Sequence, residues 1–158
     1  MDVTTTMTRP CEACDLTNGQ ALLLGGRVFQ TAHWVVEHCV GALGVGTLIV
    51  KPFRHTLHVS DLTAEEAAEL GPLLQRTTHV IQTLASADQV YVCLWSHAGW
   101  EPVHIHFVLQ PAWNGLRERY PGPGPMLQLS MFSEGAALDP GAVQQFCDRA
   151  RRAFQAES

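Results

Sequence analysis

The order of patterns along this chain predicts an α+β fold: a mostly antiparallel sheet of about five strands, one long helix and a C-terminal helix. Three observations carry that expectation. Strand-type segments at 27–31, 34–39, 47–51, 89–95 and 103–110 are set apart from helical periodicity at 64–84 and beyond 140. The links within 27–39 and between 95 and 103 are short, as antiparallel neighbours allow and parallel ones do not. With 158 residues, 46% of them hydrophobic and 16% charged, the chain makes one domain with a full core, and no repeat or second domain is visible.

Taken in order, residues 1–10 read as a loose, threonine-rich tail without a signal-peptide core. Cys11-Glu12-Ala13-Cys14 follows, then a turn over 15–19. A Cys-x-x-Cys pair is a metal half-site, a redox pair or a coincidence. A thioredoxin-type pair opens a helix after a buried strand, whereas this one precedes every strand, which favours metal. Segments 27–31 and 34–39 are rich in β-formers and joined by two residues, the pattern of a hairpin. Gly41, Gly44 and Gly46 lead into a third strand at 47–51, ended by Pro52, and Arg54-His55 fall in the loop beyond it.

Thr63 and Glu66 stand in capping-box spacing. Ala67, Leu70, Leu74, Thr77, Ile81 and Leu84 then recur at helical intervals, with Gly71-Pro72 expected to kink or split the helix. Residues 89–95 are a fourth strand and 96–102 a loop. The segment 112–125 reads as a long loop rich in Trp, Arg, Pro and Gly, of the kind that serves as a lid or binding segment. Residues 127–132 are a candidate further strand. Pro140 opens a last helix with Val143, Phe146, Ala150 and Phe154 on one face.

Composition excludes several function classes. The net charge is −5 with no basic block, so general electrostatic binding to nucleic acid is not expected, although a local pocket can still take a small anion. No apolar run has membrane-spanning length, and a cytoplasmic protein is the expectation. Five cysteines without a secretion signal argue against a disulfide framework. Cys39, Cys93 and Cys147 lie in apolar segments and read as buried fillers. His33, His58 and His79 sit on turns or a helix surface and need no role, and Trp34 and Trp95 read as core or groove residues.

The segment 103–111, Val-His-Ile-His-Phe-Val-Leu-Gln-Pro, carries the chemistry. Ile105, Phe107 and Leu109 share one parity and face a core; His104, His106, Val108 and Gln110 share the other. Two imidazoles on one strand face are solvated histidines, metal ligands, or a nucleophile with its support.

This strand, together with Leu48-Ile49-Val50-Lys51-Pro52-Phe53-Arg54-His55 and the capped helix that follows, resembles the histidine triad (HIT) superfamily, specifically its zinc-containing branch, over roughly 11–111. The family core reads His-φ-His-φ-His-φ-φ, usually followed by Pro. His104 matches the first histidine, His106 the second, Val108 the third, and Pro111 the proline. The resemblance implies a structural zinc on Cys11, Cys14, His55 and His104, a saturated tetrahedral set. It implies that His106 is a nucleophile that attacks the α-phosphorus of a nucleotide ester or amide and gives a nucleotidyl-histidine that water hydrolyses. It also implies a homodimer through the long helix and a sheet edge.

Departures from the family bear on catalysis. Val108 lacks the third histidine's donor, and Trp100 and Glu101 stand where a phosphate-binding Gln and a Ser or Thr are common. The acidic residue of strand two, which faces the ribose, appears as His38, with Glu37 one place off. Ser96 and His97, or Arg117 and Arg119, are candidate replacements. The nucleotide-contact set is therefore His38, Ser96, His97, Trp100 and Val108. Two readings follow: a hydrolase or nucleotidyl transferase acting on dinucleoside polyphosphates or nucleoside phosphoramidates, or a zinc-stabilised nucleotide-binding or regulatory module with little turnover. A third, weaker reading is a catalytic zinc held by His104 and His106 together.

Overall fold

The computed structural model describes residues 10–156, apart from the Arg117 side chain, so the tail expected over 1–10 lies, but for Pro10, outside the described residues. Among them the chain runs α1 (Glu12–Thr17), β1 (Arg27–Gln30), β2 (Trp34–His38), β3 (Leu48–Pro52), a 3₁₀ turn (Val59–Asp61), α2 (Ala64–Ala85), β4 (Gln89–Ala98), β5 (Glu101–Ala112), α3 (Asn114–Arg119), α4 (Pro125–Glu134) and α5 (Pro140–Ala156). The five strands form one sheet in the order β1-β2-β3-β5-β4, every neighbouring pair antiparallel.

One face of the sheet carries the main core. Trp34, Val36, Leu48, Val50 and Leu109 pack there against Leu73, Val80 and Ile81 of α2 and Val143, Phe146, Cys147, Ala150 and Phe154 of α5. The period-2 and period-3.6 patterns meet on this surface, and burying it is the main stabilisation of the fold. β2 and β3 are buried at every residue, because helices cover both of their faces.

The capping box forms as the spacing predicts: Glu66 N–H donates to Thr63 Oγ1 at 3.2 Å and Thr63 N–H to Glu66 Oε2 at 2.8 Å. Gly71-Pro72 does not split α2, which is continuous through Pro72. Pro72 and Ala68, whose carbonyl loses its partner, are both exposed, so solvent takes that carbonyl while Leu73, Thr77 and Val80 hold the buried side.

Three other segments differ from expectation. The 96–102 loop is a hairpin: β4 and β5 pair out to Ala98 and Glu101 around Gly99-Trp100. Both turn residues take positive φ, 55° and 74°, the backbone of a type I′ turn, with tryptophan in a place that favours glycine or asparagine. The 112–125 segment contains α3, and the strand expected at 127–132 is instead α4, with Pro125 in its first turn and Gly135 in the left-handed conformation at its end. Cys39 and Cys147 are buried as expected, whereas Cys93 is half-exposed on the edge strand.

Candidate metal centre and the histidine face

β5 pairs with β3 through Ile49↔Val108 and with β4 through Trp95↔His106, so the side chains of Ile49, Lys51, Cys93, Trp95, His104, His106, Val108 and Gln110 share the sheet face opposite the main core. Two covers sit on that face. α1 lies over one end, and α3 and α4 lie over the other. His106 stands between them, half-buried.

The first cover is tied down by charge. Glu37 and Lys51, from neighbouring strands, form a wholly buried ion pair, with Lys51 Nζ 2.7 Å from Glu37 Oε2. The contact is an ion pair rather than an aligned hydrogen bond, since Oε2 has no hydrogen-bond donor. Lys51 also donates to the Ala13 carbonyl at 2.8 Å, and Thr17 Oγ1 lies 2.9 Å from the same carbonyl and 3.4 Å from Glu37 Oε1. The helix that carries Cys14 is thus anchored on a charge pair in the sheet.

Above this anchor, Cys11, Cys14, His55 and His104 bring one donor atom each to within 4.8 Å of one another. Cys14 Sγ is 3.4 Å from Nδ1 of both His55 and His104, and Cys11 Sγ is 3.8 Å from His104 Nδ1. Tetrahedral zinc with Zn–S about 2.3 Å and Zn–N about 2.0–2.1 Å sets sulfur and nitrogen roughly 3.5 Å apart, so the donors fit that ion in type, number and spacing. Supporting contacts agree. His104 Nε2–H donates to the Pro52 carbonyl at 2.9 Å, which fixes the tautomer and leaves Nδ1 for a metal. The His55 loop is held by Arg54, whose guanidinium donates twice to the Glu66 carboxylate and once to the Asp61 carbonyl. Burial lowers the His104 pKa to about 4 and keeps the ring in its ligating neutral form. Burial, and then Cys11, raises the Cys14 thiol to about 11, so a thiolate there wants a cation.

His106 lies outside this set of four, and its ring is held by a separate hydrogen bond. Its Nδ1–H donates to the His104 carbonyl at 3.1 Å, which directs the Nε2 lone pair away from the backbone. Burial lowers its pKa below the ordinary imidazole value, against the hydrogen bond, which favours the cation, and with the Lys51 charge, which disfavours it. The ring is therefore a neutral imidazole with a defined tautomer.

The structure does not gather the expected nucleotide contacts as a set. Val108 shares the His106 face and is buried. Ser96 follows Trp95, the partner of His106, and sits in the irregularity where β4 and β5 lose register; its Oγ is 3.3 Å from His97 Nδ1. Trp100 is 95% exposed at the hairpin tip, about 20 Å from His106 at the ordinary rise of a strand. His38 faces away, its ring against Phe146 in the main core. Its Nδ1–H donates to the Cys39 carbonyl and its Nε2 accepts from Gly46 N–H. Arg119 pairs with Glu134.

Two other buried residues stand at the His106 face, Cys39 and Gln128. Cys39 packs with Leu43, Ile49, Val108, Trp95 and Met131 on the His106 face. Gln128 is fully buried, accepting from Trp95 Nε1 at 2.8 Å and donating to the Val108 carbonyl at 3.4 Å. Strand parity carried a signal for Cys39, two residues beyond Glu37; nothing in the sequence pattern marked Gln128.

A small α+β domain with a Cys₂His₂ cluster at one end of a two-histidine strand is the class this geometry defines. Sequence comparison finds no matching family model and no matching curated relative. Solved structures do match. A zinc-bound histidine triad family protein from Mycobacterium smegmatis superposes with TM-score 0.66 at 18% identity, over 93% of this chain and 94% of that one. A hypothetical histidine triad nucleotide-binding protein from Sulfolobus tokodaii gives 0.67 at 16% identity, over 92% and 93%. A uridylyltransferase mutant gives 0.66 at 19%, over 94% of this chain and 48% of that one. The chain has the histidine triad fold. No helix among the described residues is long and apolar enough to cross a membrane.

Proposed function

We propose that this protein is a histidine triad nucleotide hydrolase or nucleotidyl transferase, with His106 as its nucleophile and a structural zinc on Cys11, Cys14, His55 and His104. The observation that carries the reading is the fixed tautomer of His106: Nδ1 is committed to the His104 carbonyl, and Nε2 is left as a neutral nucleophile between the two covers of the sheet. Nε2 attacks the α-phosphorus of a nucleotide conjugate, the bond to the leaving group breaks, and water then cleaves the P–N bond to release the nucleoside monophosphate. The imidazolium formed on attack stays bonded to the His104 carbonyl, which favours the cation. Bound zinc supplies structure, holding α1 and the His55 loop against the strand; its four donors leave no open position for chemistry.

The leaving group distinguishes substrates. A polyphosphate departs as an anion and needs no proton, whereas an amine must be protonated as it leaves. Val108 offers no proton, so the site suits dinucleoside polyphosphates better than nucleoside phosphoramidates. A panel of adenosine and guanosine compounds of both kinds, incubated with the purified protein, tests this: release of monophosphate from polyphosphates is expected, and no release from any compound overturns the enzymatic reading.

Two observations favour the second reading, a nucleotide-binding or regulatory module with little turnover. Trp100 points into solvent far from His106, and Lys51, the cation whose charge reaches His106, is committed to Glu37. Monophosphate binding without turnover of any panel member selects it.

A further inference from the structure

We propose that α4 is a hinged lid that must leave the sheet before a ligand can reach His106. The inference rests on the reading of His106 as the ligand-binding histidine and adds to it a gate.

A ligand joined to His106 Nε2 has α1 on one side, fixed by the buried Glu37–Lys51 pair and the Cys₂His₂ cluster. On the other side the sheet face continues through Trp95, Val108, Ile49 and Cys39, the surface that α4 occupies. Met131 packs on the Cys39–Ile49–Val108 cluster, Phe132 lies edge-on to Trp95 with ring centroids 5.3 Å apart, and Gln128 bonds both Trp95 and Val108. Ligand and helix lay claim to one surface.

The way α4 is held fits a part that moves. Gly122 and Gly124 precede it with φ of 104° and 56°, and Gly135 follows with φ of 69°, so the chain on both sides is glycine in a backbone region that other residues resist. The bonding beneath it is incomplete. Gln110 is buried, yet its Oε1 has no partner, and its amide N–H donates to a thioether, Met131 Sδ, as well as to the Leu43 carbonyl. A sulfur acceptor is weak, and an orphaned buried oxygen destabilises the closed form. The outer surface of α4 is also apolar, with Met126 and Leu129 more than half exposed, so the helix is not strongly amphipathic. Leu127 and Met131 hold α4 down through two small clusters set apart from the main core, and the glycine tethers on either side are where it hinges in local opening.

Cys39 reports on the lid without any nucleotide. It is buried under Met131, whereas Cys147 is buried in the helical core. With the zinc-loaded full-length protein, iodoacetamide labelling mapped by peptide mass is expected to modify Cys39 roughly tenfold or more faster than Cys147. Gln128→Ala, with Met131→Ala as the second variant, should accelerate Cys39 severalfold and leave Cys147 unchanged. The same variants should bind adenosine or guanosine monophosphate severalfold more tightly, because a larger fraction of the protein is binding-competent. Cys39 that reacts no faster than Cys147 and ignores both variants overturns the lid. So does faster labelling with unchanged or weaker monophosphate affinity, since α4 would then not lie in the ligand's way. Gated labelling without monophosphate binding in any form leaves the hinged lid standing and sinks the nucleotide reading instead.

Discussion

Lys51 and Glu37 neutralise each other inside the sheet, 2.7 Å apart and out of contact with solvent, and the ammonium group also caps the Ala13 carbonyl of the helix that presents Cys14. Removing one member leaves a buried charge unmatched, which is far worse than removing both. Lys51→Met should destabilise the protein by roughly 3–5 kcal/mol in denaturant unfolding, and Lys51→Met with Glu37→Leu should recover most of that loss. A single variant as stable as the parent would show that the pair does not anchor α1.

Zinc should follow the four donors. Elemental analysis is expected to find about one zinc per chain, and Cys14→Ser should lower both zinc content and thermal stability, because metal binding is linked to folding. Metal-free protein with unchanged melting would remove the structural-zinc claim.

Much of this arrangement was legible in the chain. The strands of 27–39, the capping box at Thr63, and the Val143–Phe146–Ala150–Phe154 row are local patterns that tertiary packing had no reason to overturn. The set Cys11, Cys14, His55 and His104 came from the family resemblance, and the structure brings these four side chains together. α4 was misread because Leu127, Leu129 and Met131 alternate with Gln128 and Ser130 as a strand would, although Leu127 and Met131 face the sheet and Leu129 faces out. The Gly99-Trp100 turn was hidden by a tryptophan at positive φ. His38 was set by matching it to the family's acidic residue, but strand register puts Glu37, one place earlier, on the His106 face and turns His38 into the main core.

His38 makes stability depend on pH. Burial lowers its pKa below 6.5, against the hydrogen bond to the Cys39 carbonyl, which favours the cation. The unfolded chain therefore takes up a proton more readily than the folded one as pH falls through 6.5, and stability is lost in that direction. His38→Gln removes that contribution. Between about pH 7.5 and 5.5 the parent should lose more unfolding free energy than the variant. Parallel pH profiles would show that His38 does not titrate against folding; acid release of zinc affects both proteins and cancels in the comparison.

The β4 edge supplies a test of assembly. β4 is one of the two outer strands of the sheet, and Val92 and Leu94, on the same face as Leu109 and Phe107, are over 40% exposed. An apolar open edge invites a second copy. Light scattering at tens of micromolar should report a dimer, and Val92→Lys with Leu94→Lys should give a monomer. A monomeric parent would count against the homodimer.

His106 separates fold from function. It lies two residues from His104, yet its Nδ1 is spent on the His104 carbonyl, and the cluster beside it already holds four donors. His106→Ala should therefore keep its zinc and melt near the parent temperature. If Nε2 is the nucleophile, the same change should cut hydrolysis of a confirmed polyphosphate substrate by several orders of magnitude, because no adjacent group can form the covalent intermediate. Monophosphate binding should persist, weaker by about 1–2 kcal/mol for one lost hydrogen bond to phosphate. Val108→His is the complementary change: with a donor restored on the same face, phosphoramidates should gain more than polyphosphates, since only the amine leaving group needs the proton. Equal hydrolysis by the parent and His106→Ala would exclude the nucleotidyl-histidine route. An equal gain on both substrate classes would show that the added histidine acts on the phosphate and not on the leaving group.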